Sequence, residues 1–312
     1  MNSGNAWSEI ASRLLQGVFV VWAVVTIVFF VARVTADPAQ YMASDQTTAE
    51  EIEAIKESFG LNEPLYQQYG VFILDTARLD MGRSFLTGRP AVEEIQLRAG
   101  KTLQLGTAAF AFSLALGVPL GVVAGLNRGA LVDWVARLLA AAGQAVPNFF
   151  LGLLMIFFFS VQLGWLPTGG AGSWKHLIMP TVVLGTLTSA VIMRLTRSAM
   201  IDVMSTDFIR TARAKGVPER MVIIRHALRH VLLPVTTILG IQAGRMIAGS
   251  VIVEVVFAWP GIGRLVITSI QSSDYPVTQT AILLIAGMIV LANFVVDLSY
   301  RFIDPRIGAS VK

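Results

Sequence analysis

The chain has 312 residues, 54% of them hydrophobic and 14% charged, with mean hydropathy +0.67. Soluble domains carry about 25% charged residues, so this composition argues against a soluble protein and for several membrane spans. The net charge of +4 is not a nucleic-acid-binding face. Residues 207–234 hold six basic side chains (Arg210, Arg213, Lys215, Arg220, Arg225, Arg229) and two acids (Asp207, Glu219), and six minus two is the whole excess. There is no cysteine, which excludes disulfides, thiolate chemistry and Cys-ligated zinc or iron–sulfur centres.

A span needs roughly 20 mostly apolar residues, and six segments qualify: 14–32, 103–126, 138–163, 177–193, 231–253 and 281–296. The first is expected to be a retained anchor. Val34-Thr35-Ala36 resembles a cleavage site, but the apolar run is longer than a signal peptide's and only Arg13 precedes it closely. The segment that follows is acidic, with six basic and eleven acidic residues over 35–103, net −5. In it, Thr47 or Thr48 before Glu50, Glu51, Ile52, Ile55 and Phe59 predicts a capped amphipathic helix ending at Gly60. A second short helix is expected after Pro64, through Leu65, Tyr66, Tyr69 and Phe72. Gly100-Lys101-Thr102 imitates the end of a phosphate loop, but position 95 is Ile where the motif needs Gly and no strand precedes it, so the chain is not expected to bind ATP.

In the third span, Pro147 predicts a kink, with Gln144 and Asn148 placed to satisfy the freed backbone. Arginines and lysines beside the spans fall on one side if there are six crossings. The positive-inside rule makes that side the cytoplasm, with both termini cytoplasmic and 35–100 outside.

Residues 207–234 then read as an elbow. Asp207–Lys215 forms a short helix, Gly216 stops it, and Pro218 opens another. Met221, Ile224, Leu228 and Val231 recur at helical spacing opposite Arg225 and Arg229, and Leu233-Pro234 hands the chain to span five. A loop that only touched anionic lipid would need the charge but not this stop and re-start.

Arg245 lies about 11 residues beyond Pro234, near mid-membrane at ~1.5 Å per residue. A charge there costs at least a few kcal/mol against lipid, about 2.5 or more. Two readings stay open: a structural pair with Asp297 or a partner chain, or a pathway-lining cation that meets a carboxylate. Gln242 shares its face, and Glu254 is expected to pair with Arg264 or to face the outer mouth. Trp259-Pro260-Gly261-Ile262-Gly263 predicts an irregular interfacial turn with Trp259 at the boundary, and a short gate helix at 264–271 is the alternative. His226 and His230 have the i, i+4 spacing of a zinc pair, but Ala227 holds the glutamate position and the neighbouring arginines oppose a cation. Ser250 has no histidine in a span to make it a nucleophile.

At this point a family resemblance emerges. Arg210-Thr211-Ala212-Arg213-Ala214-Lys215-Gly216 with Leu233-Pro234 resembles the EAA loop of ABC-importer permeases. More closely, it is similar to their dipeptide/oligopeptide/nickel branch, with Arg210 at the name-giving glutamate. Further matches run in order: Arg13-Leu14-Leu15, Asp37-Pro38-Ala39, Phe59-Gly60-Leu61, Asp80-Met81-Gly82-Arg83-Ser84-Phe85, Gly88-Arg89-Pro90, Val146-Pro147, Leu163-Gly164-Trp165-Leu166-Pro167, Trp259-Pro260-Gly261-Ile262-Gly263-Arg264, Asp274-Tyr275-Pro276-Val277 and Asp304-Pro305-Arg306.

The resemblance implies an all-α membrane protein with six transmembrane helices of the type I ABC-importer permease kind. It implies a cytoplasmic N-terminus and first helix (1–34), an external cap of short helices (35–102), a five-helix core (103–304) with a cytoplasmic coupling elbow (206–234), and a cytoplasmic tail (305–312). It also implies a transport subunit rather than an enzyme. Its partners would be a homologous second permease, two ATP-binding-cassette ATPases, an external binding protein and membrane lipid, with no nucleic acid. ATP and Mg would sit on the ATPases, and this chain would bind no cofactor or metal. Cargo would be peptides or peptide-like solutes, with nickel, opines or oligosaccharides as alternatives and a self-sufficient secondary transporter as the rival class. Arg210, Thr211, Ala212, Arg213, Gly216, Leu233 and Pro234 are the expected docking residues. Arg245, Gln242, Glu254, Gln144, Asn148 and Trp259 are the pathway or gate candidates.

Overall fold

The computed structural model describes residues 3–35, Thr48, Glu50, Glu53, Glu57 and 62–303, and these are helical almost throughout. The capped helix expected over 47–60 lies outside the described residues. The helices are α1 (Ser3–Thr35), α2 (Leu65–Ala77), α3 (Ala91–Leu126), α4 (Leu131–Ala145), α5 (Asn148–Met155), α6 (Lys175–Met204), α7 (Asp207–Ala214), α8 (Leu228–Val256), α9 (Ile262–Gln271) and α10 (Tyr275–Ile303). A π-helical stretch, Ile156–Gln162, extends α5. A turn of helix at Glu219–Met221 and a second π-helical stretch, Val222–Ala227, lead into α8.

Among the described residues four helical stretches are long and apolar enough to cross a membrane: α3, α6, Ile238–Val256 of α8 and Tyr275–Ala292 of α10. The expected third span is a pair, α4 and the α5–π segment, bent by 103° at Val146-Pro147. Pro147 therefore breaks the helix rather than kinking it: it has no N–H, and the residue before a proline is pushed out of the helical region, here to φ −85° and ψ 121° at Val146. The described apolar stretch of α1 is Leu15–Val31.

The described residues divide into two compact units, those within 1–102 together with 260–290, and those of 103–259 together with 291–303. In the first, Phe29 packs its ring on Tyr69 and Phe72 at 5.4 and 5.3 Å, which seats α2 on α1. Residues 82–91 fold into a tight loop: Ala91 N donates to Gly82 O and Ser84 N to Arg89 O. The loop is pinned to the segment before α10, because the buried Ser84 Oγ donates to Asp274 Oδ2 at 2.5 Å and Phe85 N to Oδ1 at 3.2 Å. Thr102 Oγ1 accepts the Ile262 N–H at 2.8 Å, which satisfies an otherwise orphan donor at the start of α9.

In the second unit α3 lies close against α6 along Gly117, Gly121 and Gly125. A Cβ on each would come within 2.5–2.7 Å of Ser189 O, Thr196 Cβ and Met200 Cβ respectively. Glycine at every fourth position is how apolar helices without a hydrophobic driving force reach van der Waals contact. Beside this seam, Leu105, Ala109, Met179, Val183, Leu184, Met246, Val253, Phe257 and Trp259 form a buried core.

Candidate functional site

The elbow begins at α7, which is strongly two-faced. Ile209 and Ala212 are buried against Met200 of α6 and against Val222, Ala227 and Val231. Fully burying a side chain such as Ile209 contributes about 1.5–3 kcal/mol, enough to hold an eight-residue helix too short to be stable alone. Phe208, Arg210, Thr211 and Arg213 remain exposed on the other face. Arg210 pairs with Asp207 at 3.0 Å. Ala212, expected among the docking contacts, is instead 8% exposed and belongs to the seat beneath the helix.

Gly216 ends the first arm with φ +75°, a left-handed conformation that favours glycine. Its N–H donates to Arg213 O at 2.9 Å and Val217 N to Ala212 O at 3.3 Å. Pro218 then opens the second arm, its carbonyl accepting from Met221 N and Val222 N. Glu219 closes the elbow: Arg213 Nε donates to Oε2 at 3.1 Å and Nη2 to Oε1 at 2.7 Å. That fork holds the Glu219 carboxyl below its ordinary value, first through the hydrogen bond and then through the charge, and it holds the Arg213 guanidinium above its own. Nothing in the spacing alone singles out Glu219, because the Gly216 turn brings it to Arg213.

The second arm differs from the expected pattern. Met221 and Ile224 are exposed, and the buried set is Val222, Ala227, Val231 and Val235. The five-residue step from 222 to 227 is the π-helical stretch, which turns more slowly than an α-helix and rotates the apolar face by one position. The helix also runs straight through Leu233 and Pro234, both exposed, so Pro234 lies inside α8 and does not divide elbow from span.

Asp133, which no sequence motif singles out, is 1% exposed. It takes Arg197 Nε at 2.5 Å, Arg197 Nη2 at 2.8 Å and Gly129 N at 3.0 Å, with Arg137 at 3.5 Å. This buried fork ties the start of α4 to α6, ten residues before the elbow opens.

Among the pathway candidates the described contacts join Arg245 to Gln242 and the Trp259 N–H to Glu254 O. Arg245 is exposed and donates from Nη1 to Oε1 of the buried Gln242 at 3.4 Å. The side chain of Asp297, its proposed partner, lies outside the described residues. Glu254 is fully buried and so does not open onto a mouth of this chain. Trp259 is buried too, with Phe257 and Met179 in the second unit's core, so it is not an interfacial anchor. Gln144 and Asn148 flank the α4–α5 break, half-buried, and Gln144 Nε2 makes no hydrogen bond among the described residues. A helix does follow the Trp259 turn, as α9. Among the described residues no group of three His, Asp or Glu could hold a metal ion.

Comparison with known proteins fits this geometry. Residues 117–309 match the family described as binding-protein-dependent transport system inner membrane component, and residues 9–105 match its N-terminal membrane component. Over 299 residues the chain is 41% identical to the glutathione transport system permease protein GsiC of Escherichia coli (strain K12), covering 96% of this chain and 98% of that one. GsiC of Shigella flexneri serotype 5b is 40% identical over the same length and shares. Among solved structures, an inward-facing form of the MetNI methionine ABC transporter superposes with TM-score 0.57 at 20% identity, covering 68% of this chain and 97% of that one. The fold is thus that of type I ABC-importer permeases, and the chain belongs to the family of binding-protein-dependent transport system inner membrane components, as an ABC-importer permease.

Proposed function

We propose that this permease carries peptides or peptide-like solutes, glutathione among the candidates, by alternating access between itself and a homologous second permease. The observation that supports the cargo is its 41% identity to a glutathione permease along nearly the whole chain. In this reading two ATPase subunits hold the ATP and Mg and drive the cycle, and an external binding protein delivers the solute. The elbow and both termini face the cytoplasm. Residues 35–102 form an external cap, and the core and elbow lie in 103–304. The exposed face of α7, with Phe208, Arg210, Thr211 and Arg213, seats in one ATPase. Because the second arm of the elbow is continuous with α8, a push on α7 reaches that span through Ile209, Ala212 and Val231.

Purification in mild detergent tests the docking role, with wild type beside Gly216→Pro, whose ring fixes φ near −65° where the elbow needs +75°. Wild type should bring down two ATPases and a second permease, and the variant should keep the permease but lose the ATPases. Wild type that purifies alone and transports in liposomes without ATP would replace this reading with a secondary transporter.

A further inference from the structure

The exposed positions along the α8 span are Ile241, Arg245, Ala248, Ile252 and Val255. Steps of four and three put them on one helical face. That face is apolar apart from Arg245. The residue lies 14 positions after Val231 and eight before Val253, the ends of the apolar run, roughly 21 and 12 Å along the helix. A guanidinium at that depth is too costly to face lipid, so this face meets protein or an aqueous passage.

Three features suit the side chain to a ligand. Gln242, 3% exposed, stands behind it and accepts one N–H at 3.4 Å. A guanidinium carries five donors and no acceptor, and the contact with Gln242 uses one of them. Among the described residues no carboxylate lies within ion-pair distance of Arg245, and the acid further along the helix, Glu254, is wholly buried. The planar fork matches a carboxylate in two parallel hydrogen bonds and repels a cation.

We propose that Arg245 is a mid-membrane subsite for the carboxylate of the transported solute. This rests on the importer reading above and deepens it by naming the chemical class: anionic solutes with a free carboxylate, such as a peptide C-terminus, rather than a metal cation. A carboxylate that enters the passage loses water, and the Arg245 guanidinium replaces part of that hydration with charge-assisted hydrogen bonds.

The test uses the complete importer in proteoliposomes with its binding protein at saturation. Uptake of a radiolabelled tripeptide with a free C-terminus is measured beside its C-terminal amide, for wild type, Arg245→Gln and Arg245→Lys. Losing a charge-assisted pair should cut free-acid uptake by roughly tenfold or more in Arg245→Gln. Arg245→Lys should retain a larger share, and amidation should add little further loss in the Gln variant. The second permease and the ATPases should co-purify with both variants as with wild type. Unchanged free-acid uptake in Arg245→Gln would overturn the proposal. So would loss of the second permease from the purified complex in both variants, which would make Arg245 a structural pair between permeases. If wild type assembles and hydrolyses ATP but carries neither peptide, the peptide reading fails and this subsite falls with it.

Discussion

Gly216 and the Arg213–Glu219 fork are the smallest parts of the elbow on which its shape depends. Gly216 was legible in the sequence because a helix stop, a two-residue step and a proline are local signals. Glu219 was not, because its partner is chosen by the turn. The folded carboxyl of Glu219 lies below its ordinary value. The tie is therefore complete at neutral pH and is lost as pH falls through that lowered value. Amide exchange over 213–222, corrected for intrinsic rates, should rise at acid pH in wild type, and Glu219→Gln should show the raised exchange already at neutral pH. Equal protection of the two proteins at neutral pH would mean that the fork does not close the elbow. Trp259 and Glu254 illustrate the opposite limit. Their composition suits an interface or a mouth, but both are buried, and burial depends on what packs over a residue.

At the scale of elements, the apolar runs located four of the expected spans as single long helices among the described residues, and two irregularities depart from the expected pattern. One is the π-helical stretch Val222–Ala227. Counting in steps of 3.6 assigned Met221 and Ile224 to the core, whereas the wider turn buries Val222 and Ala227. The other is Val146-Pro147, where composition cannot tell a kink from a bend of 103°. The glycine seam is a third feature that needed the fold. Gly117, Gly121 and Gly125 are spaced four apart, but only the structure shows α6 against them. Gly121→Leu puts a side chain where Thr196 Cβ already stands at 2.5 Å from the new Cβ. Overpacking of this kind costs about 1–3 kcal/mol, so thermal unfolding of the purified permease should begin several degrees lower. Gly100→Leu, where a Cβ meets nothing within 4 Å, should leave the transition in place.

For the whole molecule, the chain's lack of cysteine makes orientation directly measurable. Single cysteines placed at Lys215 and Leu86, both exposed, sit in the elbow and in the Ser84 loop. In cells, a membrane-impermeant maleimide should label Leu86→Cys from outside and should reach Lys215→Cys only after the membrane is opened. Labelling of both from the same side would reverse the arginine-based assignment or remove a crossing. That assignment rests on charge asymmetry beside the spans.

Composition, the apolar runs and the Gly216–Pro218 punctuation determined a helical membrane protein with a basic elbow between its fourth and fifth apolar segments; that it is a permease came from the family resemblance of its ordered motifs and from the comparisons. Those features are local, and lipid enforces them, because every backbone group in a span must be satisfied within its own helix. The tertiary structure decided which face of each helix is buried. It set the π-shifted seat of α7 and the glycine seam on α6, brought Asp133 to Arg197, and left Arg245 as the charge on an otherwise apolar exposed face. These depend on neighbours distant in sequence, and one residue's change in helical phase exchanges buried for exposed positions.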